Sequence, residues 1–358
     1  MTRKWKRLLW ISAAGVLLAV GGTIVYLGNE VRVAADRMYE PLSSAKASYE
    51  AKDPELQAWR SQSAANPAPA DADGEGSVRA LAKGPTEVQA DASSGGGAVK
   101  MSAAQSAAQR SQGAFTVLLA GVDERAGDRG RTDTLMVLTV NEAREAAFLF
   151  SIPRDTYADL VPKGTKDKIN HAYAFSGIEG TVSTVEHFLD IPIDHYVKVN
   201  MEGFEKIVDT LGGVDVTNSF AFDSEGDHFP AGELHLTGEE ALNYTRMRHE
   251  DPRGDFGRNE RQRQVLNRLV DKAADWKNSL EITNVLRSVS RNVKTDFTLG
   301  QLTDLVTKHR DVVRSVESTE VKGQGKMMGG IYYYIVGQTE RDRLHDEIKS
   351  YLMDDGTK

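Results

Sequence analysis

The chain of 358 residues has no cysteine and no excess of basic side chains. Without thiols it can form neither disulfides nor thiolate metal sites. Its 52 Asp and Glu outnumber its 44 Lys and Arg, for a formal net charge of −8. That balance argues against broad nucleic-acid binding, which needs a basic face. Long apolar runs are scarce as well. Leu8 to Leu27 is long enough to cross a bilayer as a helix, and no later stretch is.

That run follows Arg3, Lys4, Lys6 and Arg7, so the positive-inside rule keeps the N-terminus in the cytoplasm. Trp5, Trp10 and Tyr26 sit where interfacial aromatics are favoured. A cleaved signal peptide would carry a shorter apolar core and a small-residue cleavage site, and no clear one follows. The expectation is therefore a cytoplasmic N-terminus and transmembrane helix over 1–28, with everything later outside the cytoplasm. A linker over 29–112 follows. Val31, Ala34, Ala35 and Met38 recur at helical spacing, but order is not expected beyond about Asp53. Asn66 to Lys100 is rich in Ala, Pro, Gly, Ser and Asp, too little apolar surface to offset chain entropy, and reads as a tether.

The folded domain is expected over 113–358. Phe115 to Gly121, Leu135 to Val140 and Ala146 to Ile152 are continuous apolar runs, as for strands covered on both faces. Helical stretches over 169–176, 180–189, 201–211, 238–247, 258–276, 279–293, 300–313 and 339–353 alternate with strand-like segments at 196–199, 214–216, 316–321 and 331–336. This alternation predicts an α/β fold: a single three-layer domain, a central mixed sheet with helices on both faces.

Three charged clusters stand at strand ends or on a helix, where α/β sheets bind ligands. In the first, Asp123 follows one strand, and Arg131 and Asp133 precede the next. Paired carboxylates hold a hard cation such as Mg²⁺, which in turn binds phosphate oxygens; a solvated turn is the bland alternative. The second is Arg154-Asp155, directly off an apolar strand. Lys168, Asn170 and Tyr173 lie downstream at the start of a helix, with Lys168 read as a surface lysine. The third holds six arginines and no lysine between Arg246 and Arg263. Arginine offers a planar fork that matches phosphate oxygens in pairs. Arg246 and Arg248 alternate. Arg258 and Gln262 share a helix face that continues into Leu266 and Leu269, so they point toward the interior. A buried arginine needs an acidic or anionic partner. Glu250, Asp251, Asp255 and Glu260 are near enough to serve some of them. Arg253, Arg261 and Arg263 are left open.

The segments GVDERAGDRGRTDTLM, SIPRDT, KINHAYAF and YTRMRHEDPRGDFGRNERQRQ resemble the LytR–CpsA–Psr family of cell-wall glycopolymer transferases, in motif order over about Gly113 to Asp271. The resemblance implies that Asp123 and Asp133 bind Mg²⁺. It implies that Arg131, Arg154, Arg246, Arg248, Arg258 and Gln262 grip the pyrophosphate of a polyprenyl-linked glycopolymer. Arg131, Asp133 and Arg154 are the catalytic candidates, and Asp133 or Asp155 the candidate general base. Arg263 stands where the family carries a second glutamine. The implied reaction moves the glycopolymer to a peptidoglycan hydroxyl through a phosphodiester, beside the bilayer and with no nucleic acid involved; an apolar cleft between helices and sheet is expected to hold the lipid. A pyrophosphatase on the same lipid, or a non-enzymatic lipid-binding regulator, would draw on the same residues. The paired carboxylates favour catalysis, since binding alone needs only the arginines.

Overall fold

The computed structural model describes residues 29–42, 52–54, 56–57, 113–124, 130–274, 286–308 and 316–353. The apolar run 8–27 and most of the Ala/Gly-rich stretch lie outside the described residues. Among the described residues no helix is long and apolar enough to cross a membrane.

The first three apolar runs become adjacent antiparallel strands. They are β1 (Ala114–Val122), β2 (Thr132–Asn141) and β3 (Ala146–Ser151). Two short hairpin strands follow, β4 (Tyr157–Leu160) and β5 (Thr165–Lys168), then helix α1 (His171–Leu189). The helical reading had a gap between 176 and 180. One helix spans it, but with a break in its backbone at Ser176 and Gly177. β6 (His195–Asn200) then pairs parallel with β1, returning through α1 as a parallel crossover must.

Next come α2 (Met201–Thr210), β7 (Val214–Asn218), β8 (Phe222–Ser224), β9 (Asp227–Phe229), β10 (Gly232–Leu236), α3 (Gly238–Arg246) and α4 (Asp255–Ala274). β11 (Val293–Thr295), α5 (Leu299–Lys308), β12 (Val316–Glu320), β13 (Gln324–Met328), β14 (Ile331–Ile335) and α6 (Gln338–Met353) complete the order. The main sheet runs β11-β6-β1-β2-β3-β12 and is mixed. Val293 to Thr295, whose first residue was read as the end of a helix, is an edge strand paired with β6. β14 matches the strand expected over 331–336, but its partner β13 and the whole hairpin β4–β5 escaped the sequence reading. β4 buries only Ala158 and Leu160, and β5 and β13 bury no apolar residue, so these short strands offered too little alternation to read.

Two cores divide the labour. The main one packs α1 and α6 on one sheet face, through Leu118, Val137, Phe148, Phe150, Val182, Val185, Leu344 and Ile348, all nearly inaccessible. Opposite, at the β6 end, Val197 and Val199 meet Ile207 of α2, with Met38, Val289 and Val293 buried beside them. The second core sits beside the sheet and joins α2, β7, β10, α3 and α4 through Val214, Val216, Phe222, Leu236, Tyr244, Val265 and Leu269. α3 begins with a capping box in which Thr237 and Glu240 satisfy each other's backbone amides.

The stretch read as linker contributes to this packing. Ala34, Ala35 and Met38 are buried, and so is Leu56, which joins the main core. Asp53 accepts from Lys349 of α6 at 2.7 Å.

Candidate functional site

The site forms where the N-terminal turn of α4 meets the β2 and β3 ends of the sheet. β2 delivers Asp133 as its second residue, and the chain leaving β3 delivers Arg154 and Asp155. Arg154 Nη1 donates to Asp133 Oδ1 at 2.6 Å. Lys168, the last residue of β5, donates to Asp155 Oδ1 at 2.6 Å. It was read as a surface lysine; instead the β4–β5 hairpin folds its ammonium inward.

From the other side, α4 presents Arg258. It is 4 % exposed, and its Nη2 lies 2.6 Å from Asp255 Oδ1. That contact is an ion pair without hydrogen-bond alignment, since both Asp255 oxygens still lack a hydrogen-bond partner in the protein. The same Nη2 makes a long contact, 3.5 Å, to the Asp133 carbonyl. The helix face carrying Arg258 and Gln262 continues into Val265 and Leu269. Val265, rather than the Leu266 expected from spacing, is the fully buried residue.

Asp123 and Arg131 lie at the mouth of the loop between β1 and β2. The Asp123 amide donates to the Arg131 carbonyl at 3.0 Å, which fixes both ends of the loop at the same edge. Gly130 makes this closure: its φ is +69°, and a Cβ there would fall 1.7 Å from the Asp123 carbonyl oxygen. Arg131 is exposed.

The six-arginine cluster divides. Met247 is buried in the second core, so Arg246 and Arg248 on either side of it point elsewhere. Arg248 lies within the electrostatic reach of Asp255 and Arg258. Arg246 contacts Met201 Sδ at the start of α2. Arg261 is a structural clamp. It donates to Asp251 Oδ2 at 2.7 Å and to the Met247 carbonyl, and its guanidinium lies 5.2 Å from the Phe222 ring and 5.9 Å from that of Tyr244. Arg253 pairs with Glu260 on the surface. Arg263 donates to Ser151 Oγ at 3.3 Å and faces Glu320 at 3.8 Å. It is therefore half-buried rather than a free surface charge.

Electrostatics single out the Arg154–Arg258 region. Burial pushes the Asp255 carboxyl up, against the attraction of Arg258 and Arg154. Burial, with Arg154 and Arg248 as like charges, pushes Arg258 down despite Asp255 and Asp133. Burial also acts to lower Arg154, but the hydrogen bond and charge of Asp133 outweigh it and hold the guanidinium above its ordinary value. At Asp255 and Arg258, then, desolvation exceeds what the neighbouring charges return, whereas at Arg154 it does not. Arg154 Nε, Arg258 Nε, Gln262 Oε1 and Asn170 Oδ1 are buried with no hydrogen-bond partner in the protein. Each such group costs about 1–3 kcal/mol when left unmatched; the two arginine Nε atoms are donors that suit an anion, and the two amide oxygens are acceptors that call for a donor such as water.

The LytR_cpsA_psr family model matches residues 82–350. The chain belongs to this family. A polyisoprenyl-teichoic acid–peptidoglycan teichoic acid transferase TagU of Bacillus cereus (strain AH820) is 48% identical over 238 residues, 66% of this chain and 78% of that protein. The crystal structure of B. subtilis TagU superposes with a TM-score of 0.56 at 44% identity, covering 67% of this chain and 97% of that one. A structure described as TagT bound to LI-WTA gives 0.57 at 31% identity, covering 67% and 91%. The fold is thus the mixed-sheet α/β fold of this family, and the chain is an enzyme of the transferase class.

Asp255 meets Arg258, as one of the acidic neighbours the sequence offered for these arginines. What the sequence reading did not give is its nearness to Arg154, because the helix was expected to start only at about Arg258 and α4 begins at Asp255. Asp123 and Asp133, the residues expected to hold a divalent cation, both stand at the mouth of the β1–β2 loop, and one oxygen of Asp133 is engaged by Arg154. Among the described residues no group of three or more His, Cys, Asp or Glu side chains could hold a metal ion.

Proposed function

We propose that this enzyme moves a glycopolymer from a polyprenyl-pyrophosphate carrier to peptidoglycan, leaving a phosphodiester link. The observation that carries the reading is the set of unpartnered, buried Arg154, Arg258 and Gln262 polar atoms beside Asp133, in a chain 48% identical to a named teichoic acid transferase. Arg154, Arg248 and Arg258 would hold the pyrophosphate, with Gln262 orienting it and Arg131 and Arg246 closing on it from the rim. Asp123 and Asp133 would hold Mg²⁺, which when bound neutralises phosphate charge. The arginines spread the charge that grows on the departing polyprenyl phosphate, the usual source of most of the rate in phosphoryl transfer.

An acceptor hydroxyl of the peptidoglycan attacks the phosphorus nearest the glycopolymer. The new oxygen–phosphorus bond forms as the bond to the polyprenyl phosphate breaks, and the hydroxyl proton passes to a carboxylate. Asp133 and Asp155 are the carboxylates next to Arg154 that can take it. The apolar N-terminal run would anchor the chain with the catalytic domain outside the cytoplasm, on the side where peptidoglycan lies.

Incubating the full chain in detergent with Mg²⁺, a lipid-pyrophosphate glycan and peptidoglycan oligomers tests the reading. Wild type should form glycan-linked peptidoglycan, and Asp133→Ala none. Normal transfer by Asp133→Ala overturns the assignment. Glycan phosphate released to water, with no adduct in the presence of acceptor, would make the enzyme a hydrolase instead.

A further inference from the structure

The residues just after the apolar run are built into the edge of the domain. A helix over 29–38 buries Ala34, Ala35 and Met38, the last against Val289 and Val293. Glu30 receives Arg287 at 3.1 Å, and Lys294 donates to the Arg37 carbonyl. The chain then crosses the sheet edge. Tyr39 bridges Thr295 of edge strand β11, and the Glu40 amide donates to the Thr295 carbonyl at 2.8 Å. Covering an edge strand in this way also removes a template for aberrant pairing.

Past the edge the segment meets the other sheet face. Met38 packs with Val197 and Val199, whereas Tyr196 and Lys198 alternate with them and point the opposite way. Both of these reach Glu40. Tyr196 Oη donates to its carbonyl at 2.6 Å, and Lys198 Nζ lies 3.9 Å from its carboxylate. Lys198 is simultaneously 3.8 Å from Glu124 and 5.7 Å from the Tyr173 ring centre, and the Tyr173 hydroxyl donates to Glu124. Glu124 follows Asp123. A continuous set of polar contacts therefore runs from the segment nearest the apolar run to the loop mouth, through a lysine whose side chain is only 13 % exposed.

We propose that residues 29–42 form a strap integral to the domain, and that Lys198, held between Glu40 and Glu124, is a positioning residue for the end of β1 that carries Asp123. The site then stands at a fixed offset from residue 29, two positions after the apolar run ends in the sequence. The catalytic meaning of that offset rests on the proposed function; the coupling does not.

Hydrogen exchange of the full chain in detergent, read at the amides of residues 119–124, tests the coupling. Met38→Asp undocks the strap and Lys198→Met cuts the link. Each should speed exchange there by about threefold or more, while Lys198→Arg and the exposed control Val33→Ser do not. Adding Glu40→Ala to Lys198→Met should have little further effect, as for members of one unit. Calorimetric Mg²⁺ titration should show affinity weakened by a similar factor in Lys198→Met. Unchanged exchange at 119–124 in both Met38→Asp and Lys198→Met overturns the strap. If wild type neither binds Mg²⁺ nor transfers glycan, the proposed function fails while the exchange data still judge the strap.

Discussion

Arg258 and Arg261 lie three residues apart on one helix, are almost equally buried, and each faces an aspartate, yet their surroundings differ. Arg261 is closed in by protein. Asp251, the Met247 carbonyl and the rings of Phe222 and Tyr244 occupy nearly all its faces, and only its Nε lacks a hydrogen-bond partner. Gly257 makes this enclosure feasible, because a Cβ there would fall 1.6 Å from the Asp251 carboxylate. Arg258 has the misaligned Asp255, one long contact and a second arginine near it. Burial alone therefore does not mark function. Both arginines leave Nε without a hydrogen-bond partner; what sets Arg258 apart is that its guanidinium ends meet only the misaligned Asp255 and the long Asp133 contact, and on the proposed function the substrate completes them.

Four measurements would break or sharpen that contrast. The largest effect is expected on stability at the closed pair. Arg261→Ala leaves the buried Asp251 carboxylate with only Arg253 to offset it, and should destabilise the fold by about 3–5 kcal/mol in denaturant titration. A variant with unchanged midpoint would remove the structural assignment. Next, Arg154→Ala should lower transfer by about 10²–10³-fold, equivalent to about 2.7–4 kcal/mol of barrier, with a melting temperature near that of wild type. An equally large loss of stability would make Arg154 another clamp.

The third concerns pH. Burial tends to raise the Asp251 carboxyl, but the Arg253 amide and Arg261 outweigh it and hold it below its ordinary value of 3.8. A lowered folded-state pKa gives stability that is present above the unfolded value and lost as pH falls through the folded one. The melting-temperature gap between wild type and Asp251→Asn should thus be full at pH 7 and shrink below about pH 4. A constant gap would show that Asp251 acts by shape and not by charge. The smallest effect belongs to the exposed pair. Arg253→Ala removes its bond to Glu260 and should cost about 0–1 kcal/mol, with transfer unchanged. A clear loss of activity there would place Arg253 at the site.

How much could be read in advance follows the same division. The apolar runs of β1, β2 and β3 announced a buried sheet because strands covered on both faces have no polar alternation to confuse them. The spacing of Arg258 and Gln262 announced an inward face because helix periodicity is local. The hairpin β4–β5 gave no such signal, and with it went the inward position of Lys168. Val293, the first residue of β11, read as the end of a helix, and the strand went unseen because three residues are too few to show a period.

The sequence by itself determined the class of fold, the inventory of charged residues and the anionic character of their target, because periodicity and residue chemistry are properties of short stretches. Only the tertiary structure decided which aspartate each arginine meets. It also decided that Asp255 belongs with Arg154 and Arg258 while Asp251 belongs with Arg261, and that Lys198 stands between Glu40 and Glu124. The Asp255–Arg258 and Asp251–Arg261 pairs are close in sequence, but their approach to Arg154, Asp133 and the rings of Phe222 and Tyr244 depends on distant segments and on the cost of desolvation, both set by which surfaces the two cores bring together.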